Sequence, residues 1–202
     1  MVMPAIRRHW TADEVRQLQD ESRPWPRYEL IGGELFVTPA PAKPHQLMVW
    51  ELVRILGDYL IRQPVGIGFA SPADLELERD GVLQPDVFVV PRAGWDSPVT
   101  TDWSDVRALS LAVEIISPSS VRTDRVEKRD VYLDAGTPDY WVIDIEARTV
   151  ECWAPGRATP VLATTELVWS PAGCTESLRI SLPELFERVD FERRKRETRQ
   201  NP

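Results

Sequence analysis

Three features of the sequence predict an α/β (α+β) fold built on one mixed central sheet flanked by helices, with additional β-hairpins. The nearly continuous apolar run LSLAVEII, 109–116, reads as a strand covered on both faces. Two segments of helical spacing, about 45–61 and 121–135, stand before and after it. Turn-bounded pairs of short strands lie around Gly32-Gly33, Asp80-Gly81 and Glu146-Ala147. The order strands, helix, hairpin, strand, helix, hairpin suits a sheet packed against helices, not a doubly wound nucleotide fold.

The elements follow in order. Thr11 with Glu14 three residues later forms a capping-box pattern that opens a helix through about Gln19. YELIGGELFVTP, 28–39, is a hairpin, because Gly-Gly supplies the positive φ angles of a two-residue turn. From His45 to Ile61, Leu47, Val49, Trp50, Val53, Leu56 and Leu60 define a core-packing helix. A strand alternating from Ala73 to Leu77 is expected to turn at Asp80-Gly81 and return as VLQPDVFVV. Pro85 cannot donate to a ladder, so that strand is at an edge, bulged or distorted there. Residues 91–108 read as a loop carrying Trp95 and Trp103, a surface suited to a twin subunit. Ser119 or Ser120 caps the second helix, which Gly136 and Pro138 end. DYWVIDI and RTVECWA form the last clear hairpin, and a short helix spans Pro183 to Val189. The chain is expected to form a single domain over 1–190, followed by a polar tail, 191–202.

Composition limits the role. The 202 residues are 43% apolar and 28% charged, the balance of an ordinary globule. No apolar stretch is long enough to span a bilayer, and no secretory signal opens the chain, so a cytoplasmic protein is expected. Cys152 and Cys174 make neither a disulfide framework nor a zinc set. The net charge of −8 argues against a broad cationic groove for duplex nucleic acid. A phosphate-seeking role must therefore come from a local site.

Glu114 is the anomaly of the apolar strand, since a buried carboxylate is costly without a charged partner. Asp86, at the proline-bent start of VFVV, poses the same problem. If the two strands are neighbours, both acids converge at one end of the sheet. A divalent cation relieves their repulsion, and magnesium favours sites of few protein oxygens and retained water. The following helix offers Arg122, Arg125, Lys128 and Arg129. Arg125, Lys128 and Tyr132 lie roughly on one face. Lys128 is favoured over the arginines, because a compact charge can orient water or stabilise developing negative charge.

QPDVFVV, VEIISPSS and EKRDVYLDAGTPDYWVID, in this order, resemble the Uma family of restriction endonucleases within the PD-(D/E)xK nuclease superfamily. The resemblance runs from YELIGGELFVTPAPAKPHQ to ARTVECW. It implies a restriction-endonuclease-like core, Mg2+ dependence with Mn2+ as a substitute, DNA as partner, and often homodimers. It also implies that Asp86 and Glu114 bind metal, with the carbonyl of Ile115 as a backbone ligand. Ile116 occupies the superfamily's usual lysine position, and Lys128 matches the lysine relocated to the next helix. The leading expectation is thus a metal-dependent endonuclease with Asp86, Glu114 and Lys128 as catalytic residues. Glu114→Gln and Lys128→Ala are both expected to abolish cleavage and leave the fold intact. The alternative is a catalytically inactive nuclease-fold module binding nucleic acid or a protein partner. A phosphatase ranks last, for want of a glycine-rich anion cradle.

Other residues have plainer readings. Asp74 reads as an exposed strand residue, and Glu29 and Glu34 as surface charges flanking the hairpin turn. His45 matches a histidine common in Uma-like sequences, but a helix-start residue without special contacts fits it equally. Tyr140 and Trp141 read as packing. The five basic residues within 192–199 read as a solvated end.

Overall fold

The computed structural model describes residues 9–21, 26–77, 81–92 and 103–190. Asp80, Trp95 and the tail, 191–202, lie outside the described residues.

Helix α1 (Ala12–Glu21) opens through the reciprocal bonds of a capping box. The Thr11 N–H donates to Glu14 Oε2 at 3.0 Å, and the Glu14 N–H to Thr11 Oγ1 at 3.3 Å. Strands β1 (Arg27–Ile31) and β2 (Glu34–Thr38) pair antiparallel about Gly32 and Gly33, whose φ angles are 56° and 80°. Helix α2 (Lys43–Arg62) follows, with Pro44 in its first turn.

The six-stranded sheet runs in the order β3 (Gly66–Ala70), β4 (Val87–Pro91), β5 (Leu111–Ile115), β6 (Tyr140–Asp144), β7 (Thr149–Trp153) and β8 (Val161–Ala163). Only β5 and β6 pair in parallel, so the sheet is mixed. Helix α3 connects these two; it is π-wound over Thr123–Lys128 and α-helical over Arg129–Asp134. A second antiparallel pair, β9 (Glu166–Trp169) and β10 (Leu178–Ser181), leads into α4 (Leu182–Val189).

Strand β5 is buried at every position, as its apolar run requires. Alternation sends Leu111, Val113 and Ile115 to one face, against Met48, Leu52 and Leu56 of α2. Ala112 lies on the other, with Val131 and Tyr132 of α3 and Tyr140 and Val142 of β6. Glu114 shares this second face, so the polar end of the sheet forms under α3.

Four details differ from expectation. The buried face of α2 is Met48, Leu52, Leu56, Tyr59 and Leu60, while Trp50 and Ile61 stay exposed. Apolar spacing on a 20-residue helix that carries apolar residues on more than one side does not single out the covered stripe. Residues 73–77 form no strand; Leu75 makes only an isolated bridge to Leu83. The strand partner of β4 on that side is β3 instead. β4 is an interior strand, and it begins only after Pro85, where the missing N–H ends the ladder. Trp103 turns inward against Phe69 and Phe88, at ring separations of 5.0 and 5.4 Å, rather than outward to a twin.

Candidate active site

The register of β4 on β5 places Val87 opposite Val113. Continuing it by one residue sets Asp86 opposite Glu114, on neighbouring strands at the same sheet end. On the β3 side the Asp86 carbonyl accepts the Ser71 N–H at 3.2 Å, but toward β5 its backbone does not extend the ladder. Its Oδ2 accepts the Ile115 N–H at 2.9 Å, doing with a side chain what a strand carbonyl would otherwise do. The Pro85 carbonyl accepts Ser71 Oγ at 2.6 Å. His45, in the first turn of α2, places Nε2 3.0 Å from the same Asp86 Oδ2.

Glu114 faces α3. Its Oε1 accepts from Lys128 Nζ at 3.1 Å and from the Tyr132 hydroxyl at 3.0 Å. Lys128 Nζ also lies 2.9 Å from Glu29 Oε1 and 3.6 Å from Asp124 Oδ1. The ammonium donates to Glu114 and is ion-paired with Glu29 and, at longer range, with Asp124. Asp124, Lys128 and Tyr132 recur every fourth residue and so share one side of the helix. Arg125 falls outside this row. It pairs with Glu151 at 2.7 Å and Asp144 at 3.3 Å.

Glu29 is the residue that sequence reasoning missed. It is buried, not a surface strand charge. Its Oε1 also accepts the Gln84 N–H at 2.8 Å, and its Oε2 the Thr38 hydroxyl at 3.4 Å. The hairpin is held there because Leu30 and Val82 exchange backbone bonds of 2.8 and 2.9 Å. Arg27 shares the Glu29 face of β1. Burial lowers its pKa, while Asp86, Glu29, Glu114 and Asp74 draw it back up. The Arg27-x-Glu29 spacing was the available signal. Asp74 is half-buried and accepts from the Gln84 side-chain amide. Burial raises its pKa, the Gln84 bond opposing. Glu34 stays exposed, as expected.

The cluster is closed. Side-chain exposure is 6% at Lys128, 3% at Glu114 and 4% at Glu29, against 14% at Asp86 and 16% at His45. Solvent therefore reaches this corner from the Asp86–His45 side. Burial pushes the Glu114 carboxyl well above 4.5, with Lys128 pulling it down and Asp124, Asp86 and Glu29 adding to the rise. Burial opposes the charge on Lys128 too, but Glu114, Glu29 and Asp124 outweigh it and hold the pKa well above 10.5. Its three acidic neighbours thus hold Lys128 in the charged form.

Burial also raises Asp124 from 3.8 to about 6, against the pull of Lys128 and a hydrogen bond from Ser120. A raised carboxyl pKa means that the native state keeps a proton the unfolded chain has released between those two values. Stability from this group is present below about pH 4 and lost as pH rises through about 6. Asp124→Asn has no such window. Urea titrations should show wild type losing about 3 kcal/mol relative to this variant between pH 4 and pH 7, at ~1.4 kcal/mol per pKa unit. A difference that does not change with pH would refute the assignment.

The donor chemistry fits a hard divalent ion. Both hydrogen bonds to Asp86 from side chain and backbone fall on Oδ2, and both to Glu114 fall on Oε1. Each acid thus has a second oxygen to offer. Among the described residues no group of three or more His, Cys, Asp or Glu converges as a ready-made cage. Magnesium sites of one or two carboxylates completed by water and phosphate need none.

A family model, Uma2, described as "Putative restriction endonuclease", matches residues 12–183. The chain belongs to the Uma2 family. Its fold is similar to the crystal structure of "a putative nuclease belonging to DUF820" from Anabaena variabilis, with a TM-score of 0.71 and 24% identity over 89% of this chain and 99% of that one. No curated protein shows a significant match. The Uma2 match takes in every residue of the corner, from Arg27 and Glu29 to Tyr132. Among the described residues of this Uma2 chain no helix is long and apolar enough to cross a membrane.

Proposed function

We propose that this Uma2 chain is a metal-dependent endonuclease that hydrolyses phosphodiester bonds in DNA. The observation that carries the reading is the corner itself: Asp86 and Glu114 on adjacent strands, each with one oxygen bound to protein and one remaining. Ile115 adds a third oxygen. A strand residue points its N–H and C=O the same way, so the Ile115 carbonyl faces Asp86, where Pro85 has no N–H to offer. Asp86, Glu114 and the Ile115 carbonyl would hold Mg2+ or Mn2+. Bound there, the ion would neutralise the phosphate and acidify an attacking water.

The side chains supply the rest. Lys128 works through Glu114. It compensates the buried charge and fixes Oε1, leaving Oε2 for the corner. Its burial among Glu29, Glu114 and Asp124 supports this role over one in orienting water itself. The phosphodiester approaches from the Asp86–His45 side, the more open one. A groove of about 680 Å3 lies between the Gly32-Gly33 turn and the outer side of α3. Glu34, Glu127, Asp130 and Asp134 line it against Arg122. A polyanion has no electrostatic reason to enter there.

The test is plasmid nicking by the purified chain. Cleavage is expected with Mg2+ or Mn2+, none with excess EDTA, and none from Asp86→Ala in either metal. Cleavage that survives EDTA and Asp86→Ala would overturn the reading. One observation favours the inactive module: Lys128, Glu114, Glu29 and Asp124 are sealed enough to serve structure alone. A folded wild type that binds DNA but never cuts it would select that alternative.

A further inference from the structure

We propose that His45 is a positioning residue for Asp86, holding the carboxylate so that Oδ1 is the oxygen turned toward Glu114. The inference deepens the metal-dependent reading above and rests on it. Two donors meet on Asp86 Oδ2: the Ile115 N–H at 2.9 Å and His45 Nε2 at 3.0 Å. They come from different layers, one from the sheet and one from α2. A single donor fixes one oxygen and leaves the carboxylate free to swing about it. A second donor, from another direction, removes that freedom and so selects the oxygen left over.

The ring itself shows what it is placed for. His45 Nδ1 is buried without a hydrogen-bond partner among the described residues. A histidine serving only to pack would be expected to satisfy both nitrogens or expose one. Here the one bond made is to Asp86. A carboxylate only accepts, so the network assigns a hydrogen to Nε2. Pro44, immediately before, fixes the start of α2 and with it the ring's approach.

Partners behind metal ligands commonly change affinity by about 10–100-fold when removed. The experiment is calorimetric titration of the full chain with manganese chloride alone, on wild type, His45→Ala and His45→Gln, with thermal unfolding as the control for folding. His45→Ala should weaken manganese binding by about 10–100-fold. His45→Gln, whose side-chain amide donates at a similar reach, should restore most of it. If His45→Ala fails to fold, His45→Leu fills the ring's volume without a donor and takes its place. Wild-type affinity in the folded Ala or Leu variant, or a folded Gln variant no better than Ala, overturns the positioning role. Absence of manganese binding by wild type overturns the metal-dependent reading itself, and is seen before any variant is made.

Discussion

Lys128→Ala should cost most of the protein's stability. The ammonium is the shared partner of Glu29, Glu114 and Asp124, all buried. Removing it leaves three acids to repel each other in a poorly solvated space, along with a cavity the length of a lysine stem. Breaking a buried ion pair from one side costs about 3–5 kcal/mol, and whole domains hold only about 5–15. The variant should therefore unfold at much lower urea or temperature, or accumulate poorly. The cost should shrink when acid protonates the stranded carboxylates, so the deficit is larger at pH 8 than at pH 5. A Lys128→Ala protein with the wild-type unfolding midpoint at both pH values would contradict the burial described above. The sequence alone led to the opposite expectation, an intact fold, because it assigned Lys128 to the chemistry and not to the packing.

Glu114→Gln should instead keep the fold and lose the chemistry. The amide oxygen can still accept from Lys128 and Tyr132, and the volume hardly changes. Removing a carboxylate whose charge burial already disfavours also relieves repulsion with Asp124, Asp86 and Glu29. Unfolding is expected to shift by no more than about 1 kcal/mol. Yet the neutral side chain is a poor ligand for a hard cation. Under the proposed function, metal-dependent cleavage should fall by about 10³-fold or more, equivalent to ~4 kcal/mol at the transition state. Rates on plasmid at saturating Mn2+ and a parallel unfolding curve check both halves. Undiminished cleavage by the folded variant would falsify the role given to Glu114.

The two variants show where a sequence is readable. The β5 run announced a strand buried on both sides, and an acid inside it could only be special. Pro85 before Asp86 announced a broken ladder. Thr11 and Glu14 announced a cap, and Gly32-Gly33 a turn. These signals are local, because each rests on the backbone or on two residues a few positions apart. Glu29 gave only its spacing from Arg27. Alternation in RYELI separates Arg27 and Glu29 from Tyr28 and Leu30, but it does not say which side is wet. Both sides are covered, Leu30 by Val15 and Val82 and Glu29 by Lys128. The His45–Asp86 bond joins residues 41 positions apart and depends on how α2 docks. Residue type favoured Lys128 over Arg125, but its burial among Glu29, Glu114 and Asp124 depends on how α3 and the hairpin dock.

Asp86 closes a rung of the sheet with its own side chain, and that gives folding a claim on position 86 independent of chemistry. A lineage that abandoned hydrolysis would still be held to an acceptor there, and asparagine would satisfy the Ile115 N–H as well as aspartate does. Drift from Asp to Asn at this position, with the architecture kept, is the scar by which lapsed copies could be told from working ones.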